Sequence, residues 1–308
     1  MKIAITGISS YFAKFIFPLL QADEEISQIL GIDIQEPTLK SDKLIFIKND
    51  IRNPSLEKKL KGYDTLLHLA FIVSPLKDRD EIYSINVEGS ENVIDCAVRA
   101  GISHIIHISS VAAYGSFPDN PIPIKEEHPL RIMAENFYYN ETKVLVEKYL
   151  DIIEKQYPDL LITRFRPHIV LGPDINNILS GMFTGKFIAT GNPDAIVQLV
   201  WCQDVAHAII LAVKKRIGGA FNLAADGPLT YREIAQKLSK RVFKLPYSLF
   251  YYILKFTYQF GWHKYDPGWL RITRYPIIVS NQKAKEVLGW HPQFNTYETI
   301  LAHNKSVY

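Results

Sequence analysis

Short apolar runs alternate along this chain with stretches of helical periodicity, and this alternation constrains the fold more than any other feature. Nearly every position of each run is apolar, which is typical of strands that are buried on both faces. When helices cover both faces of such strands, the result is a doubly wound parallel sheet. We therefore predict an α/β fold of this kind. The predicted strands cover 2–6, 29–32, 44–47, 64–70, 104–110 and 161–166.

The first predicted strand leads through a glycine turn into an apolar helical stretch. Gly7 can supply a tight turn and Ala13 close packing of the helix, as at a dinucleotide pyrophosphate site. Ser10 stands where a second glycine would let the backbone approach the phosphates. Its Cβ narrows that approach, while its N–H and hydroxyl can donate hydrogen bonds. The alternative is a plain turn between a strand and a helix.

Asp33 ends the second apolar run, 26 residues after Gly7. A carboxylate there accepts hydrogen bonds from both hydroxyls of the adenosine ribose and repels a 2′-phosphate, which favours NAD over NADP. The alternative is a turn residue at the strand end. After the next run, the Asp50 side chain and the Ile51 backbone are predicted to border the adenine.

Tyr139 follows Ser110 by 29 positions and precedes Lys143 by four. Residues spaced i and i+4 share one face of a helix, so the ammonium can lie near the phenol and lower its pKa. A tyrosine with a lowered pKa can serve as a general acid or base near neutral pH. The alternative for this spacing is a solvated helix face.

Together these segments resemble the extended short-chain dehydrogenases/reductases, in particular the NAD-dependent epimerase/dehydratase group. The resemblance implies a Rossmann-type doubly wound parallel sheet, a smaller C-terminal substrate lobe and NAD as the cofactor. It covers nearly the whole chain in the order of the family. The matching stretches are Thr6–Ala13, Asp50–Arg52, His68–Ala70, Asn86–Gly89, Ser109–Gly115, Tyr139–Lys143, Arg166–Pro167, Gly172–Pro173, Asp204–Ala206 and Leu288–Trp290.

The resemblance also implies a catalytic triad of Ser110, Tyr139 and Lys143. Ser110 would orient the substrate oxygen, and Tyr139 would move a proton to or from it as a hydride passes to or from the nicotinamide. Lys143 would bind the nicotinamide ribose and hold the pKa of Tyr139 down. The residues expected to contact NAD are Gly7, Ser9, Ser10, Tyr11, Phe12, Asp33, Ile34, Asp50, Ile51, Leu69, Ala70, Phe71, Asn86, Ile108, Ser109, Tyr139, Lys143, Pro167, His168 and Ile169.

Two histidines, His107 and His168, lie in segments that are predicted to be buried. Imidazole can exchange protons near neutral pH, but a histidine in a buried strand is more often a hydrogen-bonded core residue. We predict the core role for both side chains. The backbone of 167–169 matches the family segment that contacts the nicotinamide carboxamide.

Two positions depart from the sugar-nucleotide members of this family. Val197 replaces an arginine that grips the substrate diphosphate, and Ile169 replaces an asparagine that contacts a phosphate. Without an arginine fork, a diphosphate loses its strongest charge-assisted hydrogen bonds. Arg271, Arg274 or Lys186 could compensate from elsewhere in the chain.

We therefore expect an NAD-dependent oxidoreductase that transfers a hydride at a secondary alcohol or ketone carbon of a small-molecule substrate. The first alternative is a nucleotide-sugar 4-epimerase with tightly held NAD, in which the same hydride leaves and returns. The second alternative is a protein that senses NAD(H) without catalysis. This last reading predicts a degraded triad, whereas all three members are present.

The chain is predicted to form two lobes. Four prolines between Ser116 and Phe137 indicate a loop that crosses the mouth of the active site. Asp204 is predicted to cap a helix over 205–213. The expected division assigns 1–173 with 197–222 to the NAD-binding domain, and 174–196 with 223–308 to the substrate lobe.

The segment 243–262 is unusually aromatic. Such a stripe most often belongs to a lobe core or to a dimer face. An apolar substrate pocket is one alternative, and contact with a membrane surface is another. Lys244, Lys255 and the short length of the segment argue against an integral membrane span.

Composition narrows the remaining classes of protein. A net charge of +3 without a basic stripe gives no argument for nucleic acid binding. The two cysteines, Cys96 and Cys202, indicate neither a disulfide framework nor a metal site. A strand begins directly after Met1 in place of a signal segment, so a cytoplasmic location is expected. The family resemblance implies a homodimer that forms through helices at 86–100 and 139–155.

Overall fold

The computed structural model describes residues 1–73, 78–133, 137–175, 178–262 and 266–307. All residues predicted for catalysis and NAD binding lie within these ranges. Predicted segments that extend outside them are the NAD-binding domain, at 74–77, the mouth loop, at 134–136, and the substrate lobe, at 176–177, 263–265 and 308.

Strands and helices alternate through the described part of the chain. The strands are β1 Lys2–Thr6, β2 Gln28–Asp33, β3 Leu44–Lys48, β4 Thr65–His68, β5 His104–Ile108, β6 Leu161–Pro167, β7 Ile169–Leu171, β8 Phe187–Thr190, β9 Ile196–Val197, β10 Leu199–Trp201, β11 Gly219–Leu223, β12 Leu229–Thr230 and β13 Arg241–Lys244. The α-helices are α1 Ala13–Ala22, α2 Leu56–Leu60, α3 Arg79–Tyr83, α4 Gly89–Ala100, α5 Tyr138–Gln156, α6 Ile178–Thr184, α7 Cys202–Lys215, α8 Tyr231–Lys237, α9 Tyr247–Gln259 and α10 Thr296–Val307. Two 3-10 helices cover Val111–Tyr114 and Pro267–Thr273, and two π-helical turns cover Ser84–Glu88 and Ala284–Leu288.

Seven of these strands form one parallel sheet in the order β11-β6-β5-β4-β1-β2-β3. The order reverses between β1 and β4, where Thr6 lies beside His68. In such sheets the carboxyl ends of the strands on either side of the reversal border the ligand crevice. The predicted α/β fold with a doubly wound parallel sheet is confirmed.

Apolar residues at both odd and even strand positions build a core on each face of the sheet. Ile3 and Ile5 belong to the core that contains α1 and α7, whereas Ala4 belongs to the core that contains α2, α4 and α5. Because each strand is covered on both faces, its sequence is a continuous apolar run rather than an alternating one.

Two predicted helices begin earlier in the structure than in the sequence pattern. The helix predicted over 86–100 is the end of a continuous helical segment that begins with α3 at Arg79, passes through the π-helical turn Ser84–Glu88 and continues as α4. Gly101, with φ of 81°, ends it in the left-handed region that favours glycine. The helix predicted over 205–213 is α7, which begins at Cys202.

Asp204 does not cap α7, so this prediction was wrong. Because α7 begins at Cys202, Asp204 lies inside the first turn of the helix. Its carboxylate accepts a hydrogen bond from the backbone N–H of Gln293 (3.0 Å), and the indole N–H of Trp290 donates to its carbonyl (2.8 Å). Asp204 therefore ties the C-terminal segment to the central sheet.

Three two-stranded sheets lie outside the central sheet: β7 with β10, β8 with β13, and β9 with β12. Helices α6, α8 and α10 contribute to the core that these strands share, in which Phe183, Ile188 and Tyr231 are buried. Strands β9 and β10 belong to this core, whereas α7, which follows them directly, belongs to the core of the central sheet. The exact division into two lobes stays a prediction.

Helix α9 does not form lobe core, contrary to one interpretation of the aromatic segment. No residue of α9 is fully buried. One side packs beside the 3-10 helix Pro267–Thr273, and the other side is exposed. No helix in the described ranges combines the length and the apolar character that a membrane crossing requires.

Candidate active site

Gly7 forms a turn at the carboxyl end of β1 that requires glycine. Its φ is +76°, and a Cβ at this position would lie 2.5 Å from the backbone nitrogen of Ala70. The Gly7 N–H donates a hydrogen bond to the Ile32 carbonyl (2.8 Å). Because the side chain is missing, Leu69 and Ala70 lie directly against the turn.

Asp33 organises the segment that follows this glycine turn. Its two carboxylate oxygens accept hydrogen bonds from the backbone N–H groups of Ser9 and Gln35, each at 3.0 Å. The Ser9 hydroxyl donates to the Gln35 carbonyl (2.8 Å). A carboxylate offers about four acceptor positions, so Asp33 retains acceptor capacity for ribose hydroxyls. Ile34, the next residue, is 57% exposed.

The Ser10 hydroxyl is buried and has no hydrogen-bond partner among the described residues. Its N–H, which we predict as a donor to a phosphate, donates instead to the Gly7 carbonyl (2.9 Å). A buried hydroxyl at a turn before a helix needs a partner, and a phosphate oxygen meets that need. The turn therefore fits a dinucleotide pyrophosphate, with the hydroxyl as the donor of Ser10.

Tyr11 and Phe12 connect the glycine turn to α1. The Tyr11 hydroxyl donates to the Pro173 carbonyl (2.8 Å), and a Cβ at Gly172 would collide with that hydroxyl. Burial raises the pKa of Tyr11 above its ordinary range. Tyr11 therefore links the turn to the segment after β7, and Phe12 directly precedes α1.

Asp50 and Ile51 lie beyond β3, where we predict contact with the adenine. Hydrogen bonds from Arg52, at 2.7 Å in the ion pair, hold the pKa of Asp50 below its usual range. Arg52 also reaches Glu81 (3.2 Å). Ile51 is buried, and its carbonyl accepts a hydrogen bond from the side chain of Asn92 (2.7 Å). Contact of Asp50 and Ile51 with adenine stays a prediction.

Asn86 supports the segment that follows β4. Its side-chain oxygen accepts from the Ile72 N–H (2.7 Å), and its amide nitrogen donates to the Ile72 carbonyl (2.9 Å). The residue is fully buried. Its side chain therefore fixes the backbone next to Phe71, and a direct contact with NAD stays a prediction.

Ser110, Tyr139 and Lys143 come together at the carboxyl end of β5. Ser110 directly precedes a 3-10 helix, and its hydroxyl accepts a hydrogen bond from the Ala112 N–H (3.1 Å). Tyr139 lies in the first turn of α5, near enough to Ser110 for that hydroxyl to favour the phenolate of Tyr139. One turn later, Lys143 donates from Nζ to the Ile108 carbonyl (2.7 Å). All three side chains are buried.

Burial, rather than Lys143, sets the pKa of Tyr139. Burial raises the pKa of Tyr139 to about 12, and the hydrogen bond with Ser110 opposes this change. Burial also lowers the pKa of Lys143 to about 7, so its charge is partial at neutral pH. The Lys143 Nζ lies 5.8 Å from the centre of the Tyr139 ring. The prediction that Lys143 holds the pKa of Tyr139 down was therefore wrong.

Aromatic rings enclose Tyr139. The ring centres of Trp269, Phe71 and Phe137 lie 5.2, 6.1 and 6.2 Å from that of Tyr139. The Lys143 Nζ lies 3.3 Å from the centre of the Phe71 ring, in a cation–π contact. Trp269 belongs to the C-terminal 3-10 helix, and no sequence motif indicated its part in the site. A polar triad thus lies between apolar walls.

The segment 167–169 crosses from β6 to β7 next to the site. His168 donates from Nε2 to the Ile277 carbonyl (2.7 Å) and accepts at Nδ1 from the Ile169 N–H (2.8 Å). Burial lowers the pKa of His168 to about 4, and its predicted role as a hydrogen-bonded core residue is confirmed. The His168 N–H donates to the Leu223 carbonyl (2.9 Å), and contact of this segment with a carboxamide stays a prediction.

His107 is buried as predicted, but it lacks the predicted hydrogen bonds. Neither ring nitrogen has a partner among the residues that the structure describes. The ring stacks on His68, with 5.5 Å between centres. His68 in turn is hydrogen-bonded to Thr6 (2.6 Å) and to Ser90 (2.9 Å). Burial holds the pKa of both histidines well below the ordinary value, so both are neutral.

Glu147 forms a buried ion pair beneath the triad. Its carboxylate binds Arg166 through two hydrogen bonds, of 2.7 and 2.9 Å. Burial alone would raise the pKa of Glu147, but Arg166 and Arg164 hold it below its usual range. Arg166 also donates to the Tyr114 hydroxyl (2.8 Å). Sequence reasoning missed this residue, although Glu147 continues the i, i+4 spacing of Tyr139 and Lys143.

A cleft of about 400 Å³ opens between the small sheets and α9, lined by Gly191, Asn192, Tyr247, Ser248 and Arg274. The Arg274 guanidinium lies 5.3 Å from the centre of the Tyr247 ring. Arg271, by contrast, donates to the Ser116 carbonyl (2.8 Å) and so holds the mouth loop. Lys186 is exposed, and Val197 is buried in β9. Of the three basic residues predicted to compensate for Val197, only Arg274 lines this cleft.

The Ile108 and Ser109 positions complete the carboxyl end of β5. The Ser109 N–H donates to the Phe165 carbonyl (2.7 Å), which keeps β5 and β6 together at their ends. Pro167 pairs with Leu223 in the sheet. These residues border the triad from the side of the sheet.

The chain matches the sequence model of the NAD dependent epimerase/dehydratase family over residues 3–224. The structure is similar to that of UDP-glucuronic acid 4-epimerase from Bacillus cereus, which was solved in complex with NAD. The TM-score is 0.76, with 18% sequence identity over 100% of this chain and 98% of that chain. At this level of identity, the likeness establishes a common fold.

Two relatives with named reactions match about two thirds of this chain. Human sterol-4-alpha-carboxylate 3-dehydrogenase, decarboxylating, is 27% identical over 210 residues, which are 65% of this chain and 56% of that protein. The N-acetyl-alpha-D-glucosaminyl-diphospho-ditrans,octacis-undecaprenol 4-epimerase of Escherichia coli O157:H7 is 27% identical over 221 residues, which are 65% of this chain and 63% of that protein.

Proposed function

The chain belongs to the NAD dependent epimerase/dehydratase family, and we propose that it is an NAD-dependent oxidoreductase. The reaction takes place at a secondary alcohol or ketone carbon and uses Ser110, Tyr139 and Lys143. One observation carries this proposal: a buried tyrosine, beside a serine and one helical turn before a lysine, at the carboxyl edge of a parallel sheet. This is the edge at which ligands of such sheets bind.

The glycine turn and Asp33 would hold the cofactor. The turn at Gly7 would take the pyrophosphate, with the unpaired Ser10 hydroxyl as a donor. Asp33 would accept hydrogen bonds from the adenosine ribose with its remaining acceptor positions. When bound, NAD supplies the acceptor or donor of the hydride.

Tyr139 would move the proton and Ser110 would hold the substrate oxygen. Because burial raises the pKa of Tyr139 to about 12, the phenol is protonated at neutral pH and suits donation to a ketone oxygen. Oxidation of an alcohol requires the phenolate, so we expect its rate to rise towards alkaline pH. The hydroxyl oxygen of Ser110 is held in place by the hydrogen bond that it accepts from the Ala112 N–H.

The substrate is proposed to carry an apolar carbon skeleton. The walls around Tyr139 are the rings of Phe71, Phe137 and Trp269, which offer dispersion contacts and no fork of charged donors. The names of the two relatives support this class, because one acts on a sterol carboxylate and the other on an undecaprenol-linked sugar.

A 4-epimerase that acts on a diphosphate-linked sugar is the second candidate, and the cleft with Arg274 favours it. An exposed arginine beside Asn192 and Ser248 could bind a phosphate group, although Val197 lacks the charge that nucleotide-sugar enzymes use. Net NADH formation upon addition of substrate supports the oxidoreductase. Conversion of substrate without net NADH supports the epimerase.

Tyr139→Phe tests the catalytic assignment in both cases. With a panel of sterols, other apolar alcohols and undecaprenol- or nucleotide-linked sugars, we expect turnover to fall by about 10²–10⁴-fold. NAD affinity should stay within about twofold, because the variant retains the ring of residue 139 and all other residues predicted to contact NAD. Tyr149→Phe, on the same helix, is the matched control and should retain full turnover. Unchanged turnover in Tyr139→Phe contradicts the proposal.

NAD binding without any turnover of the panel would favour the alternative of a sensor that performs no chemistry. Asp33→Ala tests the cofactor separately, through the rise in melting temperature that NAD and NADP cause. We expect the rise with NAD to shrink and the preference over NADP to disappear. An unchanged preference would place the selectivity elsewhere. The homodimer through α4 and α5 also stays a prediction.

A further inference from the structure

Helix α9 carries an apolar stripe that faces solvent. Side chains in this stripe are between 47% and 65% exposed, and Trp262, just after the helix, is 73% exposed. In a helix, spacings of three, four and seven residues place side chains on a single face. The stripe consists of Leu249, Tyr252, Ile253, Phe256 and Phe260.

The aromatic side chains of this stripe are packed against one another. Phe256 and Phe260 have ring centres 4.6 Å apart, and Trp262 lies 6.2 Å from Phe256 and 6.3 Å from Phe260. The opposite side of α9 packs beside the C-terminal 3-10 helix. The exposed rings therefore form one continuous surface at the end of the helix rather than scattered contacts.

The segment of the sequence that carries this surface is basic. Between Glu233 and Asp266 the sequence contains six lysines and arginines and no acidic residue. Arg241, Lys244 and Lys255 are exposed. A surface with this charge is complementary to an anionic partner, whereas two copies of it would repel each other across an interface.

We propose that α9 and Trp262 form a docking surface for an anionic lipid bilayer. Tryptophan, tyrosine and phenylalanine are favoured at the boundary between headgroups and acyl chains, where an amphipathic helix lies in the plane of the membrane. Lysine and arginine next to such a helix are attracted to anionic headgroups. This inference concerns a surface, and it does not depend on the reaction proposed for Tyr139.

The position of α9 gives this docking a consequence for the site. The 3-10 helix Pro267–Thr273 packs against α9 and also carries Trp269, whose ring contacts Tyr139. A bilayer at α9 would therefore lie beside the element that supplies one wall of the site. This consequence, unlike the docking itself, rests on the proposed function.

Vesicle flotation of the full chain tests the proposal. We compare vesicles of phosphatidylcholine alone with vesicles that contain about 30 mol% phosphatidylglycerol, at low and high salt. The test variant carries Phe256→Ser, Phe260→Ser and Trp262→Ser. The matched control carries Ile45→Ser and Val287→Ser, at positions that are each 44% exposed elsewhere on the surface.

We expect the wild type and the control to float with anionic vesicles, and less so at high salt. Each aromatic side chain removed should weaken the partition by about tenfold. Binding that is equal for neutral and anionic vesicles, or that persists in the triple variant, overturns the proposal. Circular dichroism establishes that the variants are folded, so loss of binding is not due to unfolding.

Fluorescence locates the contact, because Trp262 is the most exposed tryptophan among the four. We expect a blue shift with anionic vesicles, which Trp262→Phe removes while flotation is retained. A shift that persists in Trp262→Phe overturns the assignment to this surface. A concentration-dependent dimer that the triple variant abolishes, without vesicle binding by the wild type, would show that a second copy covers the stripe and would also overturn it.

Discussion

Replacing Lys143 by methionine is expected to stabilise the protein while it removes a residue of the triad. Burial lowers the pKa of Lys143 from 10.5 to about 7. Each tenfold change in proton affinity corresponds to about 1.4 kcal/mol, so the charged amine is about 5 kcal/mol less favourable in the native state than in the unfolded chain. Methionine has a similar length and carries no charge.

Two contacts that the Lys143 amine makes are lost in the methionine variant, which reduces the expected gain. Its Nζ donates to the Ile108 carbonyl (2.7 Å), and a hydrogen bond from a charged group contributes about 1.5–3 kcal/mol. Its contact with the Phe71 ring adds about 1 kcal/mol. We therefore expect a net gain of about 2 kcal/mol for Lys143→Met at neutral pH, or about 4 °C in Tm for a chain of this size.

The pH dependence of this gain identifies its cause. The native amine loses its proton near pH 7, whereas the unfolded amine loses it only near pH 10.5. The wild type therefore gains stability as the pH rises through this window. The advantage of Lys143→Met is fully present below pH 7 and should shrink by about 2 kcal/mol on going to about pH 9.

Urea unfolding, followed by circular dichroism at several pH values, measures both quantities. Lys148→Met, on the exposed side of the same helix, is the control and should change stability by no more than about 0.5 kcal/mol at each pH. The reasoning is refuted by a Lys143→Met protein that is less stable than the wild type at neutral pH. A stability difference that does not vary with pH refutes it equally.

Two further pairs of substitutions test the packing around the site. Gly7→Ala should destabilise the fold by at least about 3 kcal/mol, because its Cβ would lie 2.5 Å from a backbone nitrogen. Gly62→Ala is the control, since Gly62 also has a positive φ but lies in open space, and it should cost about 1–2 kcal/mol. Urea unfolding measures both values. Glu147→Gln should cost about 3–5 kcal/mol, because it leaves the buried Arg166 without its carboxylate. Asp194→Asn, at an exposed ion pair, should leave the melting temperature unchanged. Equal losses of stability in Glu147→Gln and Asp194→Asn would contradict the claim that burial makes the Glu147 ion pair costly to break.

The sheet could be predicted from sequence because strands that are buried on both faces have continuous apolar sequences. The run 104–108 is buried at every position, and the structure places it in the middle of the parallel sheet. The ends of helices have weaker sequence signals. Asp204 has the residue type of a cap, but the helix begins two residues earlier, because the buried Asp204 is needed as a partner for Gln293 and Trp290.

The aromatic segment and Trp269 could not be predicted for different reasons. The periodicity of α9 is the same whether its stripe faces a core or solvent, so the pattern alone does not distinguish the two. Trp269 is 130 positions from Tyr139. Their contact depends on tertiary packing, since the absence of a side chain at Gly268 lets the chain approach Phe137, where a Cβ would lie 2.7 Å from the ring.

The charges beneath the triad explain why Lys143 has so low a pKa. Glu147 lies one turn after Lys143, but its two oxygens are bonded to Arg166. Arg164 is paired with carboxylates on the outer side of α5. Among charged groups, Lys143 therefore has only the residual field of Glu147 to oppose its burial. It follows that a negative charge arriving beside it, such as a phenolate at Tyr139, would raise the pKa of Lys143, and by reciprocity a charged Lys143 would then stabilise that phenolate. The effect of Lys143 and Tyr139 on each other's pKa, which the i, i+4 spacing suggests, would thus arise when Tyr139 loses its proton and not while the phenol is protonated.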